Sequence, residues 1–429
     1  MTTLPTGLTI SSPDVEDVEQ LASWRRGFTD VFGMPGSTPE ETRAAQVPYR
    51  EQRLTGVRDG GRWVATFRSW AGTSAVPGGA ATGHDDADVR SVDSELVSSV
   101  AVGPTHRRRG VLTALMADCL HHARERGAVL ATLFASEVPI YGRFGYGVAT
   151  EVADLRLDPR AVRLRPRPDA GRVRLSDDDE LLRVGPDLFE AARLRMPGAV
   201  GRNEMSWQRL AERLPSPGAD APAPPRLQLV HEAADGTVDG YARVRLEGKW
   251  DDEGPANTAT VDDLTALRPE AAAALWRTVL DLDLVRTVSV GHRTPHDLLR
   301  TLVGDLRVVR TTVHDGHWWR VLDPVRLLTA RRWGAPGRSV LEVHDPDGPA
   351  GGRWLLDVDE TGEATVTPST ASADLTLPVQ VLPAVVCGVR ALGPLAAAGD
   401  LQEETPGAVA RLERTARVGP VALAAVQGF

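Results

Sequence analysis

Lysine and cysteine are almost absent from this chain of 429 residues. Lys249 is the only lysine among 49 lysine and arginine residues, and it lies in EGKWD, which is not a P-loop. The two cysteines, Cys119 and Cys387, are far apart and have no partner spacing, which argues against a disulfide framework and a structural zinc site. HExxH and GxSxG motifs are also missing. P-loop chemistry and the common signatures of zinc and serine hydrolases are therefore excluded.

Long apolar runs are missing as well. No stretch approaches the roughly 20 apolar residues of a membrane helix, and the N-terminus lacks the basic and apolar regions of a signal peptide. We therefore expect a cytoplasmic protein with no membrane partner. The net charge of −9 argues against nucleic-acid binding. At 42% hydrophobic residues the chain can bury sizeable cores, and its length predicts two or three domains.

The most informative stretch covers residues 95–150. Leu96–Val102 is rich in β-branched and small residues, which predicts a strand. Val111–Arg126 repeats apolar residues at helical spacing, with Gly127 as its C-cap, and Ala128–Phe134 predicts a second strand. The unit is therefore a strand, loop, helix and parallel strand with a right-handed crossover.

The loop between the first strand and the helix has the chemistry of an anion site. Free N–H groups and the positive end of a helix dipole converge at a helix start. Gly110 permits close approach of the backbone, and Arg107, Arg108 and Arg109 supply charge for phosphate oxygens. Three arginines at a helix start can also be a solvated face, but they oppose the dipole there unless an anion is bound. A pyrophosphate fits such a loop.

The same pattern returns in weaker form later in the chain. Thr258–Ala266 predicts a strand and Glu270–Leu280 a helix, joined by a short turn without the glycine and arginine cluster. We interpret this as an internal duplication whose second copy cannot hold an anion. After about residue 325, alternating strands such as Ser339–His344 precede a helical stretch at 379–399, which indicates a small α+β domain.

At this point the sequence resembles a known family. Val100–Leu112 resembles the acyl-CoA-binding motif of the GNAT acetyltransferase superfamily, and THRRRGVL with ASEVPIYGRFGYGVAT at 135–150 resembles the enhanced intracellular survival (Eis) family. The resemblance implies a mixed α/β (α+β) fold with an active GNAT domain at 1–150 and a degenerate second GNAT-like domain at 151–325. A domain similar to sterol carrier proteins follows at 326–429. It also implies a homo-hexamer that uses acetyl-CoA as co-substrate and no metal.

The resemblance further assigns the residues that bind acetyl-CoA. The backbone of Val100, Ala101 and Val102 would bond the pantetheine arm, and Ser136 and Glu137 would flank the cofactor where the parallel strands separate. The loop and first helical turn would cradle the pyrophosphate, through Arg107, Arg108, Arg109, Gly110, Val111, Leu112 and Thr113.

Two further groups would carry the chemistry. Tyr141 matches the general acid of the family and Tyr146 is its competitor, which we expect to pack or line the pocket. A phenol of pKa about 10 protonates a thiolate of pKa about 8.5 only slightly uphill, a difference that burial can narrow. The family's base is the C-terminal carboxylate, here that of Phe429, where Gly428 replaces the acidic residue expected before it. Cys119 is expected in the core and not as a nucleophile.

On the acceptor side, Asp30 matches an acidic pocket residue of the family, with Phe28 as an apolar wall. A carboxylate in a cleft of an acidic protein attracts amines of polycationic small molecules. With the resemblance, aminoglycosides are the expected class of acceptor. Two alternatives stay open: a protein or peptide lysine as acceptor, and a non-catalytic protein that binds acyl-CoA or a lipid. The cluster Asp177–Glu180 is expected at a helix start or in a solvated loop.

Overall fold

The computed structural model describes residues 4–78, 89–165, 171–213, 225–346 and 348–417. The elements of its first part begin with a strand and two helices, and are β1 Leu8–Ser11, α1 Val18–Phe32, α2 Pro39–Tyr49, β2 Arg53–Asp59, β3 Arg62–Val76, β4 Arg90–Val102, α3 Val111–Glu125, β5 Leu130–Phe134, α4 Val138–Tyr141 and β6 Tyr146–Val148. The strand, helix and strand predicted from residues 96–134 are therefore confirmed. The strand β4 starts six residues earlier than predicted, because it pairs with β3 as far back as Arg90.

The second part repeats the same succession of strands around one long crossover helix. Its elements are β7 Glu151–Leu157, β8 Gly171–Ser176, α5 Asp178–Arg193, α6 Glu204–Leu210, β9 Arg226–Ala233, β10 Val238–Glu247, β11 Trp250–Asp251, β12 Gly254–Pro255, β13 Asn257–Ala266, α7 Pro269–Leu280, β14 Val285–Arg293, α8 Leu298–Leu302, β15 Arg310–Asp315 and β16 His317–Val321. Asp177 is the N-cap of α5 and accepts from the backbone of Glu180, so the acidic cluster is a helix start.

The two large sheets exchange strands. One has the order β1-β2-β3-β4-β5-β16-β6 and the other β15-β7-β14-β13-β10-β9-β8. The strand β7 follows β6 directly in the chain yet pairs in the second sheet, and β16 returns from the second part to lie antiparallel between β5 and β6. The two sheets are thus built alike, as the predicted duplication requires. The predicted boundaries at 150 and 325 stay a prediction, although residues 317–321 complete the first sheet.

The third part packs one sheet against short helices. Its elements are α9 Pro324–Ala330, β17 Gly337–His344, β18 Gly352–Val358, β19 Ala364–Pro368, β20 Leu375–Pro378, α10 Leu382–Cys387, α11 Leu392–Ala397, β21 Gln402–Glu403 and α12 Ala408–Ala416. Its five strands have the order β19-β18-β17-β20-β21. The helical stretch predicted at 379–399 is found as a 3-10 turn followed by α10 and α11. The mixed α+β class is confirmed.

The third part packs onto the first sheet through apolar and charged contacts. Trp319 and Val321 of β16 belong to the same buried cluster as Leu341 and Leu382. Arg320 of that strand forms a buried ion pair with Asp345 at 2.9 Å. This docking brings the third part next to the loop that follows α4.

Candidate active site

The parallel strands β4 and β5 separate at the point where the predicted cofactor segment begins. They are paired only from Ser94 to Leu96, opposite Leu130 to Thr132. Beyond Leu96, β4 continues to Val102 beside β3 alone. Among the described residues, the backbone groups of Val100 to Val102 that face β5 have no strand partner. The gap is an open edge that an extended ligand can pair with.

A bulge in β4 marks the start of this gap. Ser99 has φ +50, and the register with β3 shifts between Thr66 and Arg68. The Thr66 hydroxyl donates to the Ser99 carbonyl at 2.9 Å and holds the bulge. The bulge bends the strand away from its neighbour. No signal in the sequence indicated Ser99 or Thr66.

The arginine loop has the backbone of an anion cradle. Arg108 and Gly110 have φ +61 and +78, and α3 begins at Val111 without a side-chain cap. The first N–H groups of α3 are therefore free to bind a ligand. Arg107 to Arg109 are exposed and form no ion pair with any described carboxylate. The loop is anchored by His106, whose Nε2 lies 3.1 Å from the Asp59 carboxylate.

The corresponding turn of the second repeat is closed. Arg268 occupies the N-cap of α7 with an extended backbone, and Pro269 takes the first helical position. The Arg268 side chain is bonded to the Asp239 carboxylate at 2.6 Å. Its charge is therefore already neutralised, and the glycine that opens the first loop is missing. This turn therefore has neither the open backbone nor the free charge of the first loop, and the loss of a cofactor site in the second repeat stays a prediction.

Tyr141 ends the short helix α4 beside the parted strands. Its side chain is 5% exposed and shares an apolar cluster with Val97 of β4 and Val111 of α3. Burial raises the pKa of the Tyr141 hydroxyl, a hydrogen bond with Ser136 lowers it, and the charge of Glu137 raises it. The sequence led us to expect that burial narrows the difference in pKa between the Tyr141 hydroxyl and the thiol of CoA. That expectation is wrong, because desolvation disfavours the phenolate. The raised pKa does keep Tyr141 protonated and able to donate at neutral pH.

Tyr146 differs from Tyr141 in its surroundings. It is fully buried, packs edge-on against Tyr141 at 6.0 Å, and donates its hydroxyl to the Met116 sulfur at 3.6 Å. Burial raises its pKa well above the usual value. The described surroundings therefore give Tyr146 a packing role. Ser136 and Glu137, which are both exposed, follow β5 at the open end of the gap.

The predicted acceptor residues lie on α1. Phe28 is half-buried against Trp24, with ring centroids 5.7 Å apart, and Asp30 is exposed. A Cβ added at Gly27 of the same helix would lie 2.8 Å from the Thr66 methyl group, and Thr66 is the register partner of Ala101. The helix that carries Phe28 and Asp30 thus packs over the parted strand.

The third part of the chain contacts the residue next to Tyr141. Gln380 donates its side-chain amide to the Gly142 carbonyl at 2.8 Å. A Cβ added at Gly147 would lie 1.7 Å from the Gln380 carbonyl oxygen, so only glycine fits there. Nothing in the sequence indicated this contact. The predicted base, the carboxylate of Phe429, lies outside the described residues.

Cys119 is 1% exposed on the buried face of α3, and burial raises the pKa of its thiol to about 12. A thiol of that pKa is not a nucleophile at neutral pH, so the expected core role is confirmed. No helix in the part of the chain that the structure describes has both the length and the apolar character of a membrane span.

Comparisons with known proteins agree with this architecture. Residues 16–149 and 198–327 each match an acetyltransferase (GNAT) domain, and residues 324–423 match a sterol carrier protein domain. An uncharacterized N-acetyltransferase of Streptomyces griseus is 38% identical over 93% of this chain and 95% of its own length. The N-acetyltransferase Eis of Mycobacterium tuberculosis is 34% identical over 74% of this chain and 76% of its own.

Among solved structures, Eis1 from Mycobacterium abscessus superposes with a TM-score of 0.79 at 28% identity, over 98% of this chain and all of that one. The two GNAT domains and the relatives named N-acetyltransferase indicate an acetyltransferase and not a non-catalytic protein. The GNAT fold also implies acetyl-CoA as the co-substrate. The chain belongs to the Eis family of GNAT N-acetyltransferases.

Proposed function

We propose that the enzyme transfers the acetyl group of acetyl-CoA directly to an amine of a polycationic small molecule, with aminoglycosides as the expected class. The observation that carries the proposal is the gap between β4 and β5, which has an arginine loop at one end and Tyr141 in its wall. A ligand with a pyrophosphate, an extended amide arm and a thioester matches this sequence of features.

In this proposal the backbone of Val100 to Val102 binds the pantetheine arm as an added strand partner. The free N–H groups from Val111 to Thr113 and the exposed arginines at 107–109 bind the pyrophosphate. The positive φ of Arg108 and Gly110 supports this assignment, because it turns successive N–H groups toward one point. Ser136 and Glu137 border the thioester end.

The transfer itself needs no enzyme-bound intermediate. The amine attacks the thioester carbonyl, the C–S bond breaks, and the thiolate takes a proton from Tyr141. The hydrogen bond with Ser136 supports this role, since it stabilises the phenolate that remains. The inert Cys119 supports direct transfer within a ternary complex.

We keep the carboxylate of Phe429 as the proton acceptor for the amine. With a pKa of about 3.3–3.7 it works through water or on an amine that is already neutral. The contact of Gln380 with Gly142 supports this, because it brings the third domain to the residue beside Tyr141. Asp30 and Phe28 on α1 would receive the polycation. The homo-hexamer and the cytoplasmic location, without nucleic-acid or membrane partners, stay part of the proposal.

Thiol release from acetyl-CoA with different acceptors tests the substrate class. We expect turnover with an aminoglycoside to exceed turnover with a lysine peptide by at least tenfold in kcat/KM. Asp30→Asn should raise KM for the aminoglycoside severalfold and leave kcat unchanged, since it removes uniform binding. A peptide that is turned over faster than every aminoglycoside would transfer the proposal to protein lysines.

A C-terminal extension tests the proposed base. A few residues added after Phe429 move the terminal carboxylate away and replace it with a peptide bond. We expect kcat to fall by about 100-fold, within the usual range for a general base. A fully active extended protein would show that the base lies elsewhere.

A further inference from the structure

Two buried arginines lie where the first domain meets α6 of the second repeat. Arg25 of α1 is 6% exposed and Arg68 of β3 is 5% exposed. Both guanidinium groups lie over the ring of Tyr49, at 5.8 and 5.4 Å from its centroid. Met205 of α6 packs into the same apolar cluster as Tyr49. The two positive charges are thus enclosed by α1, α2, β3 and α6.

A third positive charge acts on the same place. Burial lowers the pKa of the Arg68 guanidinium, and the charges of Arg209 and Arg25 lower it further, against the opposite effect of Tyr49. Arg209 is exposed and follows Met205 by one turn of α6, so it lies on the same face of that helix as the residue that packs into the cluster. Three cations around one tyrosine repel one another, so the arrangement is unfavourable unless a negative charge joins it.

No carboxylate in the described ranges balances these charges. Neither Arg25 nor Arg68 has an ion pair there, and the Nε atom of each is buried without a hydrogen-bond partner. The Tyr49 hydroxyl is the acceptor near Arg68. Burying a cation without a paired anion is strongly unfavourable.

Other buried arginines of this chain have carboxylate or carbonyl acceptors. Arg293 is bonded to Asp297 at 2.6 Å, and Arg320 is bonded to Asp345 at 2.9 Å. Arg331 has no carboxylate but donates to backbone carbonyls, including that of Val385 at 2.9 Å. Enclosed guanidinium groups elsewhere therefore have acceptors built in. Among the described residues, Arg25 and Arg68 have the Tyr49 hydroxyl beside them and no carboxylate, so a ligand can supply the missing acceptor.

We propose that Arg25 and Arg68, with Arg209 at the edge, bind an oxyanion group, a carboxylate, sulfate or phosphate. Planar guanidinium groups match such oxygens through paired N–H donors. Arg68 is the register partner of Ser98, next to the bulge at Ser99 in the parted strand, and Arg25 precedes Phe28 on α1. On the proposed function, the site therefore lies on the acceptor side of the cleft. Asp30 is exposed on the same helix.

Calorimetry with inorganic sulfate tests the site in the full-length protein. Sodium sulfate is titrated at constant ionic strength against sodium chloride, with saturating CoA present to occupy the arginine loop. We expect Arg68→Gln and Arg209→Gln each to weaken sulfate binding at least tenfold. Arg43→Gln, an exposed arginine of α2 without an ion pair among the described residues, is the matched control and should change it less than twofold.

Either of two results would overturn the proposal. One is a native protein that binds sulfate no better than chloride, since water alone would then solvate the arginines. The other is equal weakening by Arg43→Gln and Arg68→Gln, which would indicate a general charge effect. If Arg68→Gln does not fold, Arg209→Gln decides, because its side chain is exposed and tolerates exchange.

Kinetic measurements then show whether the bound oxyanion is a separate ion or a group of the acceptor substrate. Two amine acceptors are compared that differ only in a carboxylate or its carboxamide. If the group belongs to the acceptor, the carboxylate form has the lower KM and sulfate competes with it; a free anion leaves both KM values alike. Both results support the oxyanion site. If no amine is acetylated, the proposed function fails while the sulfate measurement still tests Arg68.

Discussion

Gly110→Ala tests the arginine loop as the binding site of CoA. Gly110 has φ +78 at the start of α3, a conformation that costs a residue with a Cβ about 1–2 kcal/mol. The exposed loop can relax from this conformation when it is empty, but it must adopt it to turn its N–H groups toward a pyrophosphate. We therefore expect the dissociation constant of CoA, measured by calorimetry, to rise about five- to thirtyfold.

Gly236→Ala is the matched control. Gly236 has φ +86 in a turn between β9 and β10, and nothing lies within 4 Å of an added Cβ. This substitution carries the same backbone strain in the second repeat, so it should lower the free energy of unfolding and leave CoA affinity unchanged. Equal CoA affinity in native protein and Gly110→Ala would refute the reasoning, because the left-handed backbone would then have no part in binding.

Three further predictions concern the surroundings of the site. Gly147→Ala should lower the free energy of unfolding by about 1–3 kcal/mol in urea titrations, because the added Cβ collides with the Gln380 carbonyl. Gly142→Ala is the control, because a Cβ added there meets nothing within 4 Å. Tyr146→Phe should keep kcat within a few-fold of native, because its hydroxyl is used by Met116. Arg174 lowers the pKa of Glu180 to about 2. The decrease in the free energy of unfolding caused by Glu180→Gln should therefore be largest at neutral pH and become smaller as the pH falls from 4.5 toward 2. A decrease that does not depend on pH would contradict this.

The strand, helix and strand that form the cofactor-binding unit of the first domain could be predicted from local features of the sequence. The strand before Pro104, the helix after Gly110 and the returning strand each follow from propensity, periodicity and a glycine of positive φ. The closed turn at Arg268 follows from the loss of that glycine. The exchange of β7 and β16 between the sheets does not follow, because nothing local in a short strand such as His317–Val321 selects its partner.

The same division applies to the site. Tyr141 and the arginine loop were identified through short motifs, and the structure places both beside the gap between β4 and β5. The bulge at Ser99, the contact of Gln380 with Gly142, and the cluster of Arg25 and Arg68 depend on residues far apart in the chain. Among so many arginines, no pattern in the sequence distinguishes the buried ones that have no carboxylate partner among the described residues.

The rate of thiol release by Tyr141→Phe tests the central claim most directly. The measurement uses saturating acetyl-CoA and amine, with Tyr146→Phe as the control that removes the neighbouring hydroxyl. The account predicts that kcat falls by about 100-fold or more in Tyr141→Phe, as for loss of a general acid, while KM for both substrates changes little. Native turnover by Tyr141→Phe would contradict the account.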